Sequence, residues 1–110
     1  MPAAELERDF QSAVIEAARA LGWTVAHFRP ARTAHGWRTP VQADGKGFPD
    51  LCLVRERVLF VELKAHGGRL THEQAAWVSK LRWGGAEVYV FRPDDWDEVV
   101  QVLKRSELET

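Results

Sequence analysis

Apolar residues recur three and four positions apart near the start of the chain, between residues 4 and 21. The members of this stripe are Leu6, Phe10, Ala13, Val14, Ala17 and Leu21. That spacing places them on one face of a helix, and Gly22 is typical of a helix end. The pattern predicts a first helix over residues 4–21 that packs against a core.

Short apolar runs rich in β-branched and aromatic residues predict strands further along the chain. The runs are WTVAHF (23–28), LCLV (51–54), VLFVELK (58–64) and EVYVF (87–91). The last run is unbroken, which is typical of a strand buried on both faces. Residues 29–47 show no periodicity, so we expect a long loop there, and such loops are usually functional in small domains.

Two more helices complete the pattern. The first is predicted from Thr71 to Trp83, and its inward residues are Trp77, Val78 and Leu81. The second begins at Pro93, and its inward residues are Trp96, Val99, Val100 and Leu103. The predicted order is αβββαβα, and the fold class is α/β or α+β with a mixed sheet.

Composition restricts the class of protein. With 110 residues, 45% apolar and 28% charged, the chain suits a single globular domain over residues 1–110. No stretch approaches the roughly 18 consecutive apolar residues of a membrane-spanning helix, and the N-terminus lacks the pattern of a secretory signal. Cys52 is the only cysteine, which excludes a disulfide and a cysteine-based metal site. We therefore expect a cytoplasmic protein without a membrane partner.

The net charge of −1 conceals an asymmetry. Residues 94–110 carry six acids against two basic residues, whereas residues 29–46 carry one acid and four basic residues. The four basic residues are Arg29, Arg32, Arg38 and Lys46. A basic loop with so few acids favours contact with a polyanion such as the DNA backbone.

Three ionisable residues interrupt the apolar runs at 48–64, namely Asp50, Glu62 and Lys64. If Arg55–Arg57 forms a hairpin loop, Val54 pairs with Val58, and the same register places Asp50 opposite Glu62. Directly opposed residues share a face of the sheet, and the period of two adds Lys64 to that face.

Two opposed acids repel each other, and burying an unpaired charge costs several kcal/mol. A hard divalent cation would compensate, because Mg²⁺ binds through one or two carboxylates and keeps several waters. The alternative is an exposed strand face that carries an ordinary Glu62–Lys64 pair. Which of the two alternatives holds depends on the strand register, because a loop longer or shorter by one residue would turn Asp50 to the opposite face.

The sequence also resembles a known family. P-D in FPDL, E-L-K in FVELK and the later QAAW are similar to the motifs of the VRR-NUC family within the PD-(D/E)xK nucleases. The likeness extends from ERDFQ through ALGWTVAHF to VYVFRPDDWDEV, which is nearly the whole chain. It implies a restriction-endonuclease-like core with αβββαβ order, in which helices flank a mixed central sheet.

The resemblance implies a Mg²⁺-dependent deoxyribonuclease in which Mn²⁺ may replace Mg²⁺, with no nucleotide cofactor. Asp50 and Glu62 match the metal-binding acids, and the backbone carbonyl of Leu63 would be a further ligand. Lys64 matches the lysine that positions the attacking water, and Gln74 matches the QxxW glutamine. Glu7 would be the acid that the family carries on its first helix, as a catalytic residue or a metal ligand. Small members are similar to Holliday-junction resolvases, which implies a homodimer that acts on branched DNA.

Other interpretations of these residues remain open at the level of sequence. Thr71 and Gln74 have the spacing of a helix capping box, which would occupy the glutamine without any active site. Glu7 lies in the first turns of a helix, where the helix dipole favours an acid. The whole chain is also compatible with a non-catalytic DNA-binding or scaffold protein of nuclease-like fold, or with an interaction module that has an ordinary Glu–Lys strand.

Overall fold

The computed structural model describes residues 3–28, 31–33, 36–38 and 41–106, with side chains for residues 7–28 and 41–106. Within these ranges lie three α-helices: α1 (Ala3–Ala20), α2 (His72–Trp83) and α3 (Trp96–Lys104). The same ranges contain six strands: β1 (Thr24–His27), β2 (Ala31–Thr33), β3 (Gly36–Arg38), β4 (Leu51–Val54), β5 (Val58–Leu63) and β6 (Glu87–Phe91). No helix among the described residues combines the length and apolar character that crossing a membrane requires.

The central sheet is mixed, as the sequence predicts, with strand order β1-β4-β5-β6. The pairs β1–β4 and β4–β5 are antiparallel, whereas β5 and β6 are parallel. A parallel pair needs a crossover connection, and α2 supplies it. Because α2 runs back along the sheet, its first residues lie near the end of β5, where the acids are.

The core occupies one face of this sheet, beneath α1 and α3. Alternate residues of the two hairpin strands point into it and are almost fully buried: Leu51, Leu53, Leu59, Val61 and Leu63. Helix α2 contacts β6, and its buried residue Val78 lies outside the core cluster. The face of β5 that carries Glu62 is therefore opposite the core and beside α2.

Two expectations about strands are wrong. The segment 29–47 is not an unbroken loop, because β2 and β3 pair as a short antiparallel hairpin within it. Strands of three residues are too short to leave a readable periodicity. Strand β6 is not buried on both faces, since Tyr89 and Val90 are only half-buried. Among the described strands β6 pairs only with β5, so it lies at an edge of the sheet.

The last helix begins later than predicted, and two of its four predicted inward residues are buried. Pro93–Asp95 form a 3₁₀ turn, so the α-helix begins only at Trp96. Its buried residues are Val99, Val102 and Leu103, and Trp96 is 37% exposed. The predictions for Val99 and Leu103 are therefore confirmed, whereas Val100 is only half-buried. The prediction that Trp96 points inward is wrong: it is the first residue of α3, directly after the 3₁₀ turn.

Candidate active site

The β4–β5 hairpin has the predicted register. Val54 pairs with Val58 around the three-residue loop, and Leu51 pairs with Val61 at the far end. The next pair in this register is Asp50 and Glu62, one step beyond the last residue of β4. Both carboxyl groups therefore lie on the face of the sheet that is turned away from the core.

Hydrogen bonds hold Asp50 from two sides. Its Oδ2 accepts a 2.8 Å bond from the backbone N–H of Leu63, and its carbonyl accepts a 2.9 Å bond from the N–H of Phe28. The first bond ties the aspartate to β5 and the second to the end of β1. The backbone of β5 thus holds the side chain of Asp50, and the end of β1 holds its backbone.

Glu62 lies in an unusual environment for an acid. Its side chain is 1% exposed, and within the part of the chain that the structure describes no N–H or O–H donor reaches the buried Oε1. Burial, the hydrogen bond with Asp50 and the charge of Asp50 raise the pKa of Glu62 to about 9. The carboxyl group is therefore protonated at neutral pH in the metal-free protein, and the opposed acids share a proton instead of both ionising.

Two further charged residues act on this acid pair. Lys64 is half-buried, and its charge lowers the pKa of Glu62 while the charge of Glu7 raises it. The backbone N–H of Lys64 donates a 3.0 Å bond to the carbonyl of Phe91, which fixes the end of β5 against β6. The predicted neighbourhood of Glu62 is thus present, with one lysine and one helical acid close enough to influence its ionisation.

Gln74 makes both of the interactions that the sequence left as alternatives. Its amide oxygen accepts a 2.8 Å bond from the N–H of Thr71, and Thr71 Oγ1 accepts a 3.1 Å bond from the N–H of Gln74. Its amide nitrogen lies 3.5 Å from Glu62 Oε2, a long and therefore weak hydrogen bond. The capping box fixes the oxygen, so the nitrogen is directed towards the acid.

A family model of the VRR-NUC domain matches residues 9–95, which is most of the chain. The chain belongs to the VRR-NUC family. Family membership implies a nuclease-type function that acts on DNA, and the P-D, E-L-K and QAAW motifs all lie within the matched span. No curated protein matches the sequence at a significant level. Glu7 lies just before the matched span.

The donor set of this VRR-NUC domain fits a hard divalent cation. Mg²⁺ binds to proteins through one or two carboxylates and keeps several waters, and the two opposed carboxyl groups, one with an oxygen that no described donor reaches, suit such binding. Among the described residues, no group of three or more His, Cys, Asp or Glu side chains has metal-binding geometry. Glu7 thus influences Glu62 through its charge but does not form a three-acid cluster with Asp50 and Glu62.

The predicted DNA-binding residues are only partly described. Arg29 lies outside the described residues, and Arg32 and Arg38 lie on the β2–β3 hairpin with side chains that are also outside them. Lys46 is 79% exposed and lies 3.5 Å from the carboxylate of Glu73 on α2. Lys46 therefore has an acidic partner on α2, outside the basic segment itself.

Sequence reasoning missed an aromatic cluster beside the acids. The ring of Phe48 meets those of Phe28, Phe60 and Trp77 edge-to-face, with ring centroids 5.6, 5.7 and 5.0 Å apart. Trp77 also donates a 3.0 Å hydrogen bond from Nε1 to the carbonyl of Asp44. We expected Trp77 to be a core residue. Its position three residues after Gln74, on the same face of α2, was the signal in the sequence that it lies beside the acids.

Proposed function

We propose that this VRR-NUC domain is a Mg²⁺-dependent endonuclease that hydrolyses DNA phosphodiester bonds and prefers branched DNA such as a Holliday junction. Mn²⁺ would replace Mg²⁺. The observation that carries the proposal is Glu62, a fully buried carboxyl group that faces Asp50 and has one oxygen without a partner. A buried acid pair of this kind lowers the stability of the fold unless a bound ligand satisfies its oxygens.

In this proposal Asp50 and Glu62 hold the cation, together with the backbone carbonyl of Leu63. A bound Mg²⁺ would acidify a water molecule and neutralise charge that develops on the phosphate. Glu62 must lose its proton to become a ligand, so cation binding replaces the shared proton between the two acids. Asp50 needs no rearrangement for this, because the backbone of Leu63 and Phe28 already fixes it.

Lys64 and Gln74 would prepare the site for the reaction. Lys64 places a positive charge beside the acids in a half-buried position, where it can orient the attacking water or stabilise the transition state. The amide nitrogen of Gln74 would hold Glu62 Oε2 and leave Oε1 for the cation. Glu7 would add negative charge near the metal and favour its binding.

The basic segment before the acids would contact DNA phosphates through Arg29, Arg32, Arg38 and Lys46. Four such contacts predict a slope of log K against log salt of about −3 to −4 for each protomer. A homodimer with two-fold symmetry would present two sites to two strands, which suits paired incisions at a junction. The single cysteine favours action in the cytoplasm.

The test is cleavage of a synthetic four-way junction, a flap and a plain duplex by purified protein with Mg²⁺, Mn²⁺ or EDTA. Glu62→Ala and Lys64→Ala provide the controls, and each substitution should reduce the rate by about 10²–10³-fold. Metal-dependent, symmetric cuts near the junction centre support the proposal. Cleavage that survives in both variants would contradict the assignment of the site.

The same experiment also tests the non-catalytic alternative. A DNA-binding or scaffold protein would bind the junction in Ca²⁺ with salt-sensitive affinity and cleave none of the substrates. That outcome would replace the nuclease proposal with a binding function for the same surface.

A further inference from the structure

The segment of residues 44–48, which we call the strap, lies along the start of α2. Trp77 holds it by two contacts, the hydrogen bond from Nε1 to the carbonyl of Asp44 and the ring contact with Phe48. Because the two contacts lie at opposite ends of the strap, a single side chain fixes its position along the helix.

Gly47 shows how closely the strap approaches α2. A Cβ atom at this position would lie 2.6–2.8 Å from atoms of Glu73 and Gln74, including their backbone. The residue also has a φ of +88°, which favours glycine. The Lys46–Glu73 ion pair adds little to this contact because both groups are exposed. The strap therefore touches α2 at Gln74, the residue that completes the capping box with Thr71 and whose side chain reaches Glu62.

The strap leads directly to the acid pair. Pro49 is almost fully buried between Phe48 and Asp50, and proline fixes its own φ and restricts the residue before it. Phe48 is in turn held by rings from the end of β1 and from β5 as well as by Trp77. The position of Asp50 is therefore coupled to the packing of the Phe48 ring.

We propose that Trp77 is a positioning residue of the metal site: by holding the strap on α2, it fixes Asp50 relative to Gln74 and Glu62. Gln74 and Trp77 are three residues apart on one face of α2, so a single helical turn orients both acids. The proposal rests on the metal-dependent function above, and it assigns Trp77 a role without contact to metal or DNA.

The test uses Trp77→Phe, which keeps an aromatic ring but removes the indole N–H. Calorimetric titration with Mn²⁺ should show a Kd about tenfold higher than in wild type, as is common when a group that orients a metal ligand is lost. In the cleavage assay, kcat at limiting Mn²⁺ should fall with KM for DNA unchanged, and higher Mn²⁺ should restore it. A role in folding alone would not produce rescue by metal.

Trp83→Phe is the matched control, because Trp83 lies on the same helix and is 92% exposed. It should bind Mn²⁺ with the wild-type Kd. Gly47→Ala, which pushes the strap away from α2, should weaken Mn²⁺ binding at least as much as Trp77→Phe does. If wild type binds Mn²⁺ and Trp77→Phe binds it equally well, the positioning role is wrong while the metal site stands. If wild type binds no Mn²⁺, the metal-dependent function fails and this proposal fails with it.

Discussion

The two ends of β5 each bury a charged side chain, and the fold treats them in opposite ways. Arg57, just before the strand, is 6% exposed, and Glu62, near its end, is 1% exposed. In the part of the chain that the structure describes, these are the only charged side chains classed as buried. Because both side chains are buried to a similar extent, the difference in their electrostatic environment comes from their partners and not from their depth.

Arg57 has a complete set of partners. Its guanidinium group donates to both carboxylate oxygens of Glu87, at 3.1 and 2.9 Å, and to the carbonyls of Val102 and Arg105. It also lies over the ring of Trp23. Burial alone would raise the pKa of Glu87, but hydrogen bonds and nearby positive charges hold it below its ordinary value.

Glu62 has the opposite environment. It faces another acid, one of its oxygens has no partner, and its pKa is raised to about 9. The comparison shows that this small fold can pair a buried charge when the role is structural. We interpret Glu62, which faces another acid, as the binding group of the proposed site, and Arg57, which faces Glu87, as a structural residue. Each of the following predictions tests that distinction.

The largest loss of stability from a substitution at neutral pH is expected at the paired end. Arg57→Leu removes the hydrogen bonds to Glu87 and to two carbonyls, and the loss of one partner of a buried pair costs about 3–5 kcal/mol. Chemical denaturation should show that decrease in the free energy of unfolding. Arg105→Ala is the control, because Arg105 is 54% exposed and its pair with Glu87 contributes about 1 kcal/mol or less. Equal effects of the two substitutions would contradict the structural role of Arg57.

At the end of β5 that carries Glu62, the pH dependence of the free energy of unfolding should show the raised pKa of this acid. The folded metal-free protein retains a proton between about pH 4.5 and 9, where the unfolded chain has released it. The free energy of unfolding therefore falls as the pH rises through this interval, by up to about 1.4 kcal/mol per pH unit. Glu62→Gln cannot titrate, so in EDTA it should be more stable than wild type at alkaline pH, with a difference that shrinks towards pH 4.5. Parallel pH profiles of the two proteins would show that the acid is not buried as described.

A smaller effect is expected from Gln74→Glu. Glutamate can keep the capping bond to Thr71, but it replaces the N–H donor beside Glu62 with a third acid. We expect a loss of about 1 kcal/mol in EDTA at neutral pH, from thermal or chemical unfolding. Gln74→Glu with unchanged stability would mean that the 3.5 Å contact with Glu62 contributes nothing.

Local patterns were sufficient to predict the three helices, the four strands of the central sheet and the register of the site. The Val54–Val58 pairing follows from a three-residue loop, and it places Asp50 opposite Glu62 by counting alone. The capping box of Thr71 and Gln74 is equally local. These features depend on neighbours within a few residues or on the fixed period of a strand, both of which the sequence displays directly.

The features that escaped prediction depend on distant contacts. Arg57 lies in the hairpin loop as expected, but its burial was not predicted, because its partners on β6 and at the end of α3 are 30 to 48 residues away. The strap contact between Trp77 and Asp44 spans 33 residues. No periodicity within one segment encodes such contacts.

We propose above that Asp50 and Glu62 form a metal site, in which the cation replaces the proton that the two acids share in the metal-free protein. The most direct measurement compares the thermal unfolding of wild type and Glu62→Gln near neutral pH, first in EDTA and then with Mn²⁺. In EDTA the variant should unfold at the higher temperature. With Mn²⁺ at ten times its Kd, wild type should gain about 1.4 kcal/mol, or about 6 °C for a domain of this size, while the variant gains nothing. A variant that is less stable in EDTA, or that responds to Mn²⁺ as wild type does, would contradict the account.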